Sequence, residues 1–180
     1  MSEEISVLLE VAAVLEGAGV HYMLTGSMAL NVYAMPRMTR DIDLVAVVAL
    51  ADAARMETLF PPDRFYVSAE AARDAVRHQS SFNIIQLATM TKVDIMIRRR
   101  EEFRVVEFDR RRRVEIRGTP VWVVSKEDLI LAKLDWARDS LSERQLGDVK
   151  NLLATGCDLD YVKAWAQRLQ LNDMLTRVLP

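Results

Sequence analysis

The chain has 180 residues, 51% of them hydrophobic and 28% charged, with a formal net charge of −2. That length carries one domain with a real core, or a domain with a small helical appendage. The near-neutral charge excludes a protein that coats nucleic acid by charge alone, though it leaves room for a local basic patch. Cys157 is the only cysteine, which excludes an internal disulfide and a zinc site of several thiolates. The start, MSEEISVLLE, is acidic and amphipathic, unlike a signal peptide. No apolar run is long enough to span a bilayer. The expected location is therefore the cytoplasm, with no membrane partner.

Ile5, Leu8, Leu9, Ala12 and Leu15 recur at helical spacing and predict a helix over Glu3–Glu16, stopped by Gly17 and Gly19. Val20–Leu24 is a short strand, Thr25–Ser27 a turn and Met28–Tyr33 a helix that Pro36 ends. Arg37–Arg40 connects to a strand over Ile42–Val48. A helix follows over Leu50–Leu59, cut off by Pro61 and Pro62, and Arg64–Val67 is extended. Glu70–His78 is a short helix or an ordered loop. Phe82–Leu87 and Lys92–Ile97 predict a hairpin across Ala88–Thr91. Phe103–Phe108, Arg112–Ile116 and Val121–Val124 are strand candidates, the last two punctuated by Gly118-Thr119-Pro120. From Ser125, which opens a capping box ending in Asp128, the pattern is all helical: Lys126–Arg138, Glu143–Ala154, Leu159–Leu169 and Met174–Val178. The division into residues 1–124 and 125–180 falls at this change.

Asp41, Asp43 and Asp94 stand on strands otherwise rich in Val, Ile and Leu, where Asp is disfavoured. Alternation turns Asp41 and Asp43 to one face. Two such acids with a third on a neighbouring strand suit a pair of magnesium ions about 3.5–4 Å apart in a phosphoryl transfer. Asp41 and Asp43 would bridge the metals, and Asp94 would bind one and take the acceptor's proton. The competing explanation is a solvated face of exposed acids. Gly26 and Ser27 open a helix whose free N–H groups favour phosphate; a plain N-cap serine explains the same residues and is compatible with that role. Arg37 and Arg40 suit phosphate charge, or else an ion pair with Asp41 or Asp43. Lys133 lies in DLILAKLDWA, a segment apolar on most sides, and either snorkels to solvent or meets an anion, a phosphate or an acidic partner. Arg98–Arg100 and Arg110–Arg113 are basic runs that suit either a polyanion or blunted sheet edges. Trp122, Trp136 and Trp165 fall on apolar faces and are expected in the core.

GSMALNVYAMPRMTRDIDLV followed by KVDIMI resembles the nucleotidyltransferase superfamily, whose best-known fold is that of DNA polymerase β. The long spacer ending in Arg-x-x-Arg-Asp-x-Asp is most similar to the bacterial branch containing abortive-infection toxins of the AbiEii type. Kanamycin-type versions place Asp-x-Asp closer to Gly-Ser. The helical stretch from Val124 to Leu153 resembles the part of that branch that supplies a lysine and an acid to the nucleotide site. The resemblance implies an α+β fold, a mixed β-sheet flanked by helices with a C-terminal helical segment packed on a catalytic core. It implies that Gly26 and Ser27 hold a triphosphate, that Asp41, Asp43 and Asp94 are the catalytic and metal-binding triad, and that Lys133 and Asp148 complete the nucleotide site. From the residues alone, Asp148 is explained by an i, i+4 ion pair with Arg144 on a solvated face.

The implied activity is transfer of an NMP group from an NTP, with Mg2+ or Mn2+, to a hydroxyl on RNA (a tRNA end among them), protein or a small molecule. A toxin of this branch would have an antitoxin partner. A catalytically inactive nucleotide-binding module acting through a protein partner, and a plain interaction protein with incidental acids, are the alternatives from other classes.

Overall fold

The structure is a computed structural model that describes residues 3–140 and 142–179. In chain order its elements are α1 (Glu3–Gly17), β1 (His21–Thr25), α2 (Gly26–Tyr33), β2 (Ile42–Val47), α3 (Leu50–Ala53), α4 (Met56–Leu59), β3 (Phe65–Val67), α5 (Ala69–His78), β4 (Ser81–Gln86), β5 (Thr91–Ile97), α6 (Glu102–Asp109), β6 (Arg112–Ile116), β7 (Thr119–Val123), α7 (Lys126–Ser140), α8 (Glu143–Ala154), α9 (Leu159–Arg168) and α10 (Asn172–Thr176). The strands form one sheet in the order β3-β4-β5-β2-β1-β7-β6. The β2–β5 and β1–β7 pairs are parallel and the others antiparallel. This is the expected α+β architecture, a mixed sheet flanked by helices.

The alternation of β2 and β5 decides what their two faces carry, whereas β1 is buried on both faces from Tyr22 to Thr25. Ile42, Leu44 and Ala46 of β2, Leu24 of β1, Val93 and Ile95 of β5, and Val121 and Val123 of β7 are all buried. On β2 and β5 the residues between them, Asp43, Val45, Asp94 and Met96, are only half-buried. One face is thus committed to core, and the other keeps its acids accessible. The core is continuous across residue 124. Leu129, Ile130, Leu131 and Leu134 of α7 and Val149 and Leu152 of α8 join the same apolar cluster as the sheet.

Ser125 caps α7 as its capping-box pattern implies. Its hydroxyl accepts from the Asp128 N–H at 3.2 Å and donates to the Asp128 carboxylate. The β6–β7 hairpin turns through Arg117 and Gly118, at φ 54° and 78°. Two left-handed residues form the tight turn that matches strand twist.

Three expectations change. Phe103–Phe108 is not a strand but lies in α6. Its Val-Val and aromatic content carries strand propensity, yet Phe103, Glu107 and Phe108 are the residues it buries, a spacing that fits a helical face. Leu50–Leu59 is two short helices, α3 and α4, rather than one. Trp136 is 63% exposed. The apolar side of α7 is carried instead by Leu129, Ile130, Leu131, Leu134 and Ala137.

The helical form of α6 places Glu107 in the interior, 4% exposed, where it accepts from Arg104 Nη1 at 3.1 Å. Burial pushes its carboxyl up to about 7, against the pull of Arg104 and with help from Asp128 and Asp135. The unfolded chain ionises this group near 4.5. Between these values the unfolded state releases the proton first, so stability falls as pH rises, by about 3 kcal/mol across the window. Glu107→Gln is therefore expected to be more stable than the parent at pH 8 and to lose that advantage at pH 4.5. Urea denaturation at the two pH values checks it.

Candidate active site

β1 runs into α2 beside the start of β2, with Thr25 paired to Asp43. On the other side of β2, Asp43 pairs in register with Asp94 of β5. The two carboxylates therefore spring from adjacent strands at the same level of the sheet. Asp41 precedes β2 by one residue and is exposed. Its charge is nonetheless felt at Asp43, Arg37 and Lys92.

Gly26 has a left-handed backbone, φ +66°. A Cβ on it would lie 2.1 Å from Asp43 Oδ2. The glycine thus does more than let backbone approach a ligand, since its missing side chain is the space that Asp43 occupies. Thr25, not Ser27, holds the N-cap position of α2, and it makes no side-chain cap. The first-turn N–H groups at that end lack a capping side chain.

Ser27 lies inside the first turn, and its hydroxyl accepts a hydrogen bond from Arg37 Nη2. Arg37 also donates through Nε and Nη2 to the two oxygens of Asp148, each at 2.9 Å. Lys133 Nζ donates to Asp148 Oδ2 at 2.8 Å and to Gln145 Oε1 at 3.1 Å. Asp148 is 5% exposed and Lys133 4%. This overturns the solvated pairing of Asp148 with Arg144: the acid points inward, between two cations.

The charges explain one another. Burial, then Asp94 and Asp41, push the Asp43 carboxyl up to about 6, while Lys133 and Lys92 pull it back. Burial works to raise Asp148, but the bonds from Arg37 and Lys133 outweigh it and hold the carboxyl below its ordinary value. Burial pushes the Lys133 ammonium down despite its bond to Asp148. The two partners of this pair are thus both shifted down. Asp148 has two cations to itself, whereas Lys133 shares a single acid with Arg37 and recovers less of what burial costs it. Lys92 Nζ sits 3.0 Å from Asp94 Oδ2. Arg40 is exposed on the rim of a groove between α1, α2 and the spacer, and no ion pair is found for it among the described residues.

Among the described residues, no three acidic, histidine or cysteine side chains converge into a preformed metal cage. The chemistry of the set nevertheless fits a hard divalent cation. Asp41, Asp43 and Asp94 offer oxygen alone, and the Asp43 carboxyl, raised first by burial and then by the charges of Asp94 and Asp41, would be relieved by a cation there.

Lys92, Gln145, Asn31 and Asn151 are contributors that the sequence did not single out. Lys92 had a legible signal, since it lies two residues before Asp94 on one strand face. The asparagines had none. Arg111 and Arg113 lie over the Trp122 ring, and Arg98 and Arg111 over Phe108. Arg112 and Arg113 stand on β6, an edge strand, where charge discourages further pairing.

Residues 7–174 match the family model described as Nucleotidyl transferase AbiEii toxin, Type IV TA system. No match is found among curated proteins. Among solved structures, an antigenic nucleotidyltransferase-like protein from Paracoccidioides brasiliensis is 18% identical, covering 97% of this chain and 93% of its own, with a TM-score of 0.58. The lincosamide antibiotic adenylyltransferase LnuA, lincomycin-bound, is 16% identical over 84% of this chain and 96% of its own, with a TM-score of 0.56. ANT(2")-Ia in complex with adenylyl-2"-tobramycin is 13% identical over 99% of this chain and 100% of its own, with a TM-score of 0.63. At these identities the structural likeness establishes a shared fold.

Proposed function

From the premise that this chain belongs to the AbiEii nucleotidyltransferase toxin family, we propose that it is a magnesium-dependent enzyme that moves an NMP group from an NTP to a hydroxyl acceptor. The observation that carries this reading is the in-register pair Asp43 and Asp94 beside an uncapped helix start, with Arg37 and Lys133 facing the same corner. We assign residues 1–124 to the catalytic core and 125–180 to a helical segment packed on it that contributes Lys133 and Asp148. Asp41, Asp43 and Asp94 would hold Mg2+ or Mn2+. When bound, the cation neutralises charge on the phosphate oxygens.

The α2 N–H groups at Gly26 and Ser27, with the Ser27 hydroxyl, bind the triphosphate. Arg37 and Lys133 stabilise the charge that gathers on the leaving pyrophosphate, and Arg40 adds to the field at the rim. The acceptor oxygen bonds to the α-phosphorus while the bond from that phosphorus to the bridging α–β oxygen breaks. The hydroxyl proton passes to Asp94. Catalysis of this kind is mostly positioning and electrostatic stabilisation.

The acceptor is a hydroxyl on RNA, protein or a small molecule. The family supports a toxin role with an antitoxin partner. Among the described residues no helix is long and apolar enough to cross a membrane; the proposed place of action is the cytoplasm, where the NTP substrate is found. The test is NTP labelled at the α-phosphate, incubated with magnesium, the protein and a cell extract. Label transfer that Asp43→Ala lowers about a hundredfold or more is expected; undiminished transfer in that variant would overturn the reading. The alternative is a nucleotide-binding module without transfer, which the Lys92 hold on Asp94 favours. It predicts saturable NTP binding with no pyrophosphate release.

A further inference from the structure

Residues 34–41, between α2 and β2, have neither helical nor strand structure. Apolar packing holds only the start of this spacer, where Ala34 lies against the core; Met35 is 72% exposed and Met38 87%. Fixing each such residue costs about 1–2 kcal/mol of backbone entropy, so something else must place it. Two asparagines do. Asn31 Nδ2 donates to the Arg37 carbonyl and Asn31 Oδ1 accepts from the Arg37 N–H, both at 2.9 Å. Asn151 Nδ2 donates to the Met35 carbonyl at 2.9 Å, and Asn151 Oδ1 accepts from the Met35 N–H at 3.3 Å.

A side-chain amide carries one acceptor and a donor pair, so it can grip a residue's backbone on both sides as a strand neighbour would. The two gripped residues flank Pro36, whose ring fixes the backbone between them. Asn31 comes from α2, which also carries Ser27. Asn151 comes from α8, three residues after Asp148 and therefore close to it on the same side of the helix. The spacer is pinned at Arg37 to the helix that starts at the cradle and at Met35 to the helix bearing the cradle's acid. From the pinned backbone of Arg37, its side chain spans Ser27 and Asp148.

We infer that Asn31 and Asn151 are positioning residues that hold the spacer so that the Arg37 guanidinium lies at the mouth of the phosphate cradle. The inference rests on the proposed role of Arg37 as a phosphate-binding group. It means that the first part of the spacer is a braced arm that carries one arginine back to the helix it left.

The test is a double-mutant cycle read by calorimetric binding of each of the four NTPs with magnesium, alongside thermal denaturation. It needs no knowledge of the acceptor. Asn31→Ala is expected to weaken NTP binding about tenfold, the effect of two lost hydrogen bonds passed on to the guanidinium. In an Arg37→Ala background the same substitution is expected to change NTP affinity less than about twofold, while lowering Tm as much as it does in the parent. Asn151→Ala is expected to follow the same pattern. A purely structural asparagine would weaken binding equally in both backgrounds, and that result overturns the inference. So does parental NTP affinity in Asn31→Ala when Arg37→Ala alone binds poorly. Parental NTP affinity in Arg37→Ala would overturn the phosphate role of Arg37 first, and the inference with it.

Discussion

Gly26→Ala is expected to cost about 3 kcal/mol of stability and to lower nucleotidyl transfer about a hundredfold. Two separate penalties meet at this position. An L side chain at φ +66° is held in the left-handed region at about 1–2 kcal/mol. Its Cβ would also sit 2.1 Å from Asp43 Oδ2 and 2.9 Å from Asp43 Cγ, so the carboxylate must turn away, and overpacking of this kind costs about 1–3 kcal/mol. For a chain of this size that corresponds to a Tm lower by about 10 °C. The functional loss has a different origin. Asp43 moves off the level it shares with Asp94, and an error of about 1 Å at a reacting centre costs about a hundredfold.

Gly147→Ala is the control. Gly147 lies within α8 at an ordinary helical φ, and a Cβ there would meet nothing within 4 Å; alanine should stabilise the helix by up to about 1 kcal/mol. Thermal denaturation and label transfer on the two variants separate the effects. A Gly26→Ala protein with parental Tm and activity would remove Asp43 from the geometry described above.

The same position illustrates what was legible in the chain before its structure. Gly26, Ser27, Asp41, Asp43 and Asp94 declare themselves because their residue types contradict their surroundings: acids on apolar strands, and a glycine where a strand meets a helix. The strand order and the parallel pairing of β2 with β5 were not legible, since they depend on contacts between distant segments, and neither was the level at which Asp43 meets Asp94. Phe103–Phe108 misled through propensity, since two valines and two phenylalanines look like a strand until the packing partners of Phe103 and Phe108 are known. Trp136 misled because it lies among apolar neighbours in sequence, although helical rotation turns it away from them. Asp148 misled for a related reason. The arginine one turn before it offered a local partner, whereas its true partners, Lys133 and Arg37, are 15 and 111 residues away. Asn31 and Asn151 act through backbone groups of other residues, and nothing in residue type announces that.

The remaining large effect is expected at Lys133, where stability and function can be pulled apart. Lys133→Met should destabilise the fold by about 3 kcal/mol, because removing one partner of a buried pair strands the other. Asp148 keeps Arg37, which places the loss at the lower end for such a change. The variant should also lose NTP binding, since Lys133 is the buried cation that acts on Asp43 and faces the cradle. Adding Asp148→Asn removes the stranded charge. The double variant, Lys133→Met with Asp148→Asn, is then expected to regain most of the lost Tm, as buried ion pairs replaced by neutral groups of similar volume often do. It should not regain NTP binding, because the cation for the phosphates is still missing and Arg37 has lost the acid that fixes its guanidinium. Tm from thermal denaturation and NTP affinity from calorimetry supply the two readouts. If both recovered together in the double variant, Lys133 would be a structural partner of Asp148 and nothing more. If neither fell in Lys133→Met, the ammonium would be neither buried counter-charge nor phosphate ligand.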